Sequence, residues 1–98
     1  MTLQTIPLSA TPSQLSRVSL GGQPCTIKVY QKSTGLYLDL LVSDKPVITG
    51  RLCHNANRLV RDEYLGFVGD LMFVDTAGSS DPDSTGLGGR FILTYMAL

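Results

Sequence analysis

The chain has 98 residues, 43% hydrophobic and 16% charged, with 8 basic and 8 acidic side chains and a formal net charge of zero. So short a chain holds one core and reads as a single domain over residues 1–98. Neutrality excludes the basic field that gathers proteins on nucleic acid or anionic membranes, and the apolar run Leu71 to Val74 falls far short of the ~18 residues of a membrane span.

Met1 to Leu20 lacks the basic start and continuous apolar centre of a signal peptide, so synthesis in a cytoplasm is expected. Within it, Leu3 to Leu8 alternates and ends near Pro7, which suits an edge or entry strand because proline brings no ladder donor. Thr11-Pro12-Ser13 turns the chain. Gln14 to Leu20 then sets Val18 and Leu20 on one face and Arg17 and Ser19 on the other, and Gly21-Gly22 closes a hairpin.

In the next run Cys25, Ile27 and Val29 oppose Thr26, Lys28 and Tyr30, the pattern of a half-buried strand closed by Ser33-Thr34-Gly35. Leu36, Leu38, Leu40 and Val42 share a face in the strongest core strand of the sequence, and Asp44-Lys45-Pro46 is expected to break it. Val47 to Cys53 forms another strand in which Gly50 marks a bulge. His54 to Tyr64 loses the period of two and reads as a loop with one helical turn at Arg58 to Glu63. Phe67 to Asp75 and Arg90 to Met96 are the last strands, with Phe91, Leu93 and Tyr95 on one face of the latter. Six to seven short strands with tight turns predict an all-β fold, either a small antiparallel sandwich or a partly open barrel.

The residues that could carry chemistry do not assemble into a site. Structural zinc needs four ligands, and Cys25, Cys53 and the lone His54 provide three, two of them adjacent. In extended chain Cys53 and His54 point to opposite faces, so the imidazole cannot take the thiol proton. Both cysteines therefore read as buried free thiols. No serine lies in a strand-turn-helix elbow, and strand parity sends Asp70 and Asp75 to opposite faces.

The oxygen-rich segment Asp75 to Gly86 could wrap a calcium ion, but it lacks the spacing of a calcium loop and has the composition of an ordinary exposed turn. Gly86-Leu87-Gly88-Gly89 leads into a strand rather than a helix, so it forms no phosphate cradle. These glycines instead allow the loop to fold back tightly. The expectation is a protein with no catalytic residues, cofactor or metal. Charge divides along the chain, +5 over residues 1–61 and −5 over residues 62–98. Such a division allows faces that attract between subunits, with Asp81, Asp83 and Arg90 as the expected polar assembly contacts.

Tyr64-Leu65-Gly66-Phe67-Val68-Gly69-Asp70-Leu71-Met72-Phe73-Val74-Asp75-Thr76, with Asp81-Pro82, Gly86-Leu87-Gly88 and Arg90-Phe91-Ile92-Leu93-Thr94-Tyr95, resembles a family of small tail proteins of contractile-tailed bacteriophages that includes a cyanophage baseplate plug. The likeness covers residues 51–96 and extends less specifically through Leu36 to Leu40 to the N-terminal hairpins. It implies a virion structural protein in the central hub of the baseplate near the tail tube. It also implies an all-β fold, no catalysis, and partners among other baseplate and tube proteins and copies of itself. Gly69, Asp70, Asp75, Gly86 and Gly88 would then shape the fold or its contacts. Ser84 stands where the resemblance leads one to expect an aromatic, which weakens a contact role for the loop. Two other readings are a small ligand- or host-surface-binding β module and a small hydrolase using Asp70, Asp81 or His54.

Overall fold

The computed structural model describes residues 2–56, 58–60 and 69–97, with side chains described from Gln4 to Met96 within those ranges. Among the described residues, seven strands form two antiparallel sheets: β1 (Thr2–Ile6), β2 (Ser13–Leu20), β3 (Gln23–Lys32), β4 (Gly35–Val42), β5 (Lys45–Leu52), β6 (Asp70–Asp75) and β7 (Phe91–Ala97). One sheet has the order β2-β3-β4-β5 and the other β1-β7-β6. They do not close on each other, so the fold is the sandwich rather than the barrel.

The four-stranded sheet is a meander of two-residue hairpins, the connection that the alternating runs require. Leu20 pairs with Gln23 around Gly21-Gly22, and Lys32 pairs with Gly35 around Ser33-Thr34. The third turn falls earlier than the sequence suggests. Val42 pairs with Lys45, and Ser43 and Asp44 make the turn at φ 51° and 65°. Pro46 therefore sits inside β5 instead of ending β4. An edge strand admits it because its missing N–H faces away from the neighbour. The bulge expected at Gly50 appears as register shifts between β4 and β5, and the Gly50 N–H donates to Asp39 Oδ1 at 2.7 Å.

Strand parity builds the core. Cys25, Ile27 and Val29 on β3, Leu36, Leu38 and Leu40 on β4, Leu71 and Phe73 on β6, and Phe91, Leu93 and Tyr95 on β7 are all buried in one cluster drawn from both sheets. Each such leucine or phenylalanine contributes roughly 1.5–3 kcal/mol by leaving water. Val18, half-buried on β2, and Val42 at the end of β4 pack against the same cluster.

The strands of the three-stranded sheet are offset from the sequence reading. β1 stops at Ile6, before Pro7, and β7 begins at Phe91 instead of Arg90. The expected start of β6 at Phe67 lies outside the described residues, as do Arg61 to Glu63 of the expected helical turn. The described part of that turn is not helical. Arg58 bridges Met72, and the Leu59 N–H donates to the Leu71 carbonyl at 2.8 Å. Asn55 likewise bridges Phe73. Residues 55, 56, 58 and 59 thus lie along the outer edge of β6, where they satisfy ladder groups that a bare edge would leave open.

Candidate functional site

Asp75 ends β6 and pairs with Phe91 at the start of β7, so the chain from Thr76 to Arg90 leaves and returns at one point. The closure is a two-pronged ion pair. Arg90 donates from Nε to Asp75 Oδ1 at 2.8 Å and from its terminal nitrogen to Oδ2 at 2.9 Å. The same carboxylate accepts from the Ala77 and Ser80 N–H groups at 2.9 and 2.8 Å. With its side chain fully buried, Asp75 is held well below the usual carboxylate range, first by the guanidinium and then by these amides. Its oxygens face donors, which is the arrangement of a loop brace.

Further along, Asp81 reaches back to the segment after β5. Its Oδ1 accepts from the Asn55 N–H at 3.0 Å, and its Oδ2 lies 3.2 Å from His54 Nδ1. The Asn55 amide, then His54, holds its pKa below the usual carboxylate value. Asp83 caps a single 3-10 turn at Ser84–Gly86, accepting from the Thr85 N–H at 3.0 Å. Ser84 is buried, and its N–H donates to Gln31 Oε1 of β3 at 2.9 Å, joining the loop to the other sheet. Pro82, Ser84 and Leu87 turn inward while Asp81, Asp83 and Thr85 face outward.

The glycines singled out in the sequence stand where side chains do not fit. Gly88 has φ +80°, and a β-carbon there would strike the Leu8 carbonyl oxygen. Gly69 has φ +129° and lies against the Met96 carbonyl and the Tyr95 ring. A β-carbon at Gly86 would meet the Phe91 ring at 2.6 Å. Asp70 is 1% exposed and accepts from the Val60 and Leu71 N–H groups, each at 2.8 Å, and from Arg58 Nε at 3.1 Å. It fastens the segment around residues 58–60 to β6.

Asp81, Asp83 and Arg90 are therefore all engaged within the chain, while Asp81 and Asp83 keep an exposed face. Sequence reasoning did not find Gln31, Asn55 and His54 as loop anchors. Their partners lie 53, 26 and 27 residues away, and no local pattern marks them.

Among the described residues, catalytic groups do not converge. Cys53 is buried, its thiol pushed up to about 12 by that burial, so it is protonated at neutral pH. The adjacent His54 side chain is 42% exposed and turned to Asp81. Among the described residues, no three His, Cys, Asp or Glu side chains gather as a metal site.

The outer face of the four-stranded sheet has a different chemistry. It carries Arg17, Lys28 and Lys32 exposed, with Tyr30 and Tyr37 stacked at 6.0 Å and the Lys32 ammonium 5.5 Å from each ring. Asp39, the carboxylate among them, accepts from the Tyr30 hydroxyl at 2.8 Å and from Gly50. Burial, then Asp39, raises the Tyr30 phenol.

A family model described as cyanophage baseplate Pam3 plug gp18 matches residues 3–97, a span wider than the residues 51–96 that carry the likeness most specifically in the sequence. No curated protein matches the chain.

Proposed function

The chain belongs to the cyanophage baseplate Pam3 plug gp18 family, and on that premise we propose that it is a subunit of the baseplate hub, seated at the end of the tail tube and held there by protein contacts alone. Membership makes it a structural protein of a phage virion, located in the tail baseplate. The finer reading, a noncatalytic hub position beside tube proteins and copies of itself, is supported by how the chain uses its polar groups. Asp70, Asp75, Asp81, Asp83 and Arg90 all brace the fold, and the exposed sides of Asp81, Asp83 and Arg90 offer a charged rim to neighbours.

The observation that carries the proposal is the family match over nearly the whole chain. Imaging assembled baseplates tests it: density for this sandwich at the tube end, at fixed copy number, is expected. Purified tails that lack the protein would sink the reading. Failure of the isolated domain to bind glycans or calcium in titration is also expected, and specific binding would favour a ligand-binding module instead.

A further inference from the structure

Among the described residues, β2 alone of the sheet edges is both long and uncovered. The outer edge of β6 is lined by residues 55, 56, 58 and 59, and β1 is only 5 residues long. At the far edge of the four-stranded sheet, β5 carries Pro46 and the bulge at Gly50. Lys45 and Val42 flank a two-residue turn and exchange hydrogen bonds, so the next residue, Pro46, turns its missing donor toward the open side. Short strands, proline and bulges are the devices by which edges are kept from pairing.

β2 is neither short nor interrupted by proline or a bulge, and Arg17 is its one charged side chain. Its 8 residues pair with β3 in unbroken register. Leu20 and Gln23 flank the Gly21-Gly22 turn, and the Gln31 N–H donates to the Pro12 carbonyl at 2.7 Å. Residues 14, 16, 18 and 20 therefore direct their backbone groups to β3, and Ser13, Leu15, Arg17 and Ser19 direct theirs to the free edge. On that edge stands Leu15, the large hydrophobic residue that is exposed among the described residues, at 52%.

Resting on the baseplate reading above, we propose that the β2 edge receives an extended strand from a neighbouring protein of the baseplate, one that carries an apolar side chain opposite Leu15 and a carboxylate near Arg17. The main-chain ladder supplies affinity and the alternate side chains supply choice of partner. Charge selects the occupant. Arg17 and Lys28 flank Leu15 on the outer face, while Asp39 is already bonded to Tyr30 and Gly50. A second copy pairing β2 with β2 would double that positive row on one face, whereas an acidic strand neutralises it. Beside the same strand, a cleft of about 460 Å³ runs from Arg17 and Ser19 past Pro24 to Ser43 and Asp44, with room for a side chain of the incoming segment.

The test complements phage lacking this protein with variants. Leu15→Pro deletes an outward N–H and leaves every bond to β3, and Arg17→Glu reverses the edge charge. Both are expected to fold with wild-type circular dichroism and a melting temperature within a few degrees. Incorporation into baseplates should fall at least tenfold for each, while Arg17→Lys stays near wild type. Folded Leu15→Pro that enters baseplates as well as wild type would overturn the edge proposal and leave the baseplate reading intact. Absence of the wild-type protein from particles would instead sink that reading. Should Leu15→Pro not fold, the imaged baseplate decides through the identity of the strand beside β2. An acidic strand of another protein bears the proposal out, and a second copy or bare solvent there overturns it.

Discussion

Asp75 has the most demanding role of any single residue, because one carboxylate closes a loop by taking Arg90 and two amides. Its folded pKa is depressed, so the unfolded chain binds the proton more readily and protons favour unfolding. The stabilisation is complete above the ordinary carboxylate value near ~3.9 and is lost as pH falls through the folded one. Stability measured by denaturant between pH 2 and 6 should therefore fall more steeply for wild type than for Asp75→Asn, whose curve starts lower and runs flatter. Parallel curves would show that the clamp carries no linked proton. Gly88→Ala should cost roughly 1–3 kcal/mol, since φ +80° and the Leu8 carbonyl both oppose a β-carbon. An unchanged melting temperature would mean that the loop can move off Leu8. Asp70→Ala strands the buried Val60 and Leu71 amides and should cost about 1–3 kcal/mol. Asp70→Asn, which keeps one acceptor, should recover part of that in the same unfolding assay.

Among the elements, β4 and β2 mark the two extremes of what a strand does in this fold. Leu38 on β4 is 0% exposed between β3 and β5, so Leu38→Ala should lower stability by about 2–5 kcal/mol in chemical denaturation. Leu15→Ala on the β2 edge should stay within about 0.5 kcal/mol. If both variants behaved alike, the assignment of inner and outer faces would be wrong. Those faces were legible in advance because alternation is a property of one strand and its own residues. Val18 and Leu20 opposite Arg17, and Leu36, Leu38 and Leu40 opposite Tyr37 and Asp39, turn the way their polarity requires. The turn after β4 was less legible. Pro46 looks like a breaker in a list of residues, yet it is tolerated where its nitrogen faces no partner, and only pairing decides which side that is.

For the molecule as a whole, the charge division along the chain becomes a basic sheet face and an outward acidic loop, set by Arg17, Lys28 and Lys32 on one side and Asp81 and Asp83 on the other. Association through such rims should loosen as salt rises from 0.1 to 1 M, since the screening length shrinks from ~10 to ~3 Å. Light scattering across that range checks this, and a constant mass would point to apolar contacts instead. The residues alone determined that the protein is all-β, which side of each strand enters the core, that the cysteines lie buried, and the family likeness in the C-terminal half. The tertiary structure decided that β1 joins β7 beside β6, that residues 55, 56, 58 and 59 cover the β6 edge, and that Gln31 and His54 pin a loop distant in the chain. The division has one physical cause: polarity patterns act over neighbouring residues, while sheet order and loop anchoring depend on which distant groups meet when the core closes.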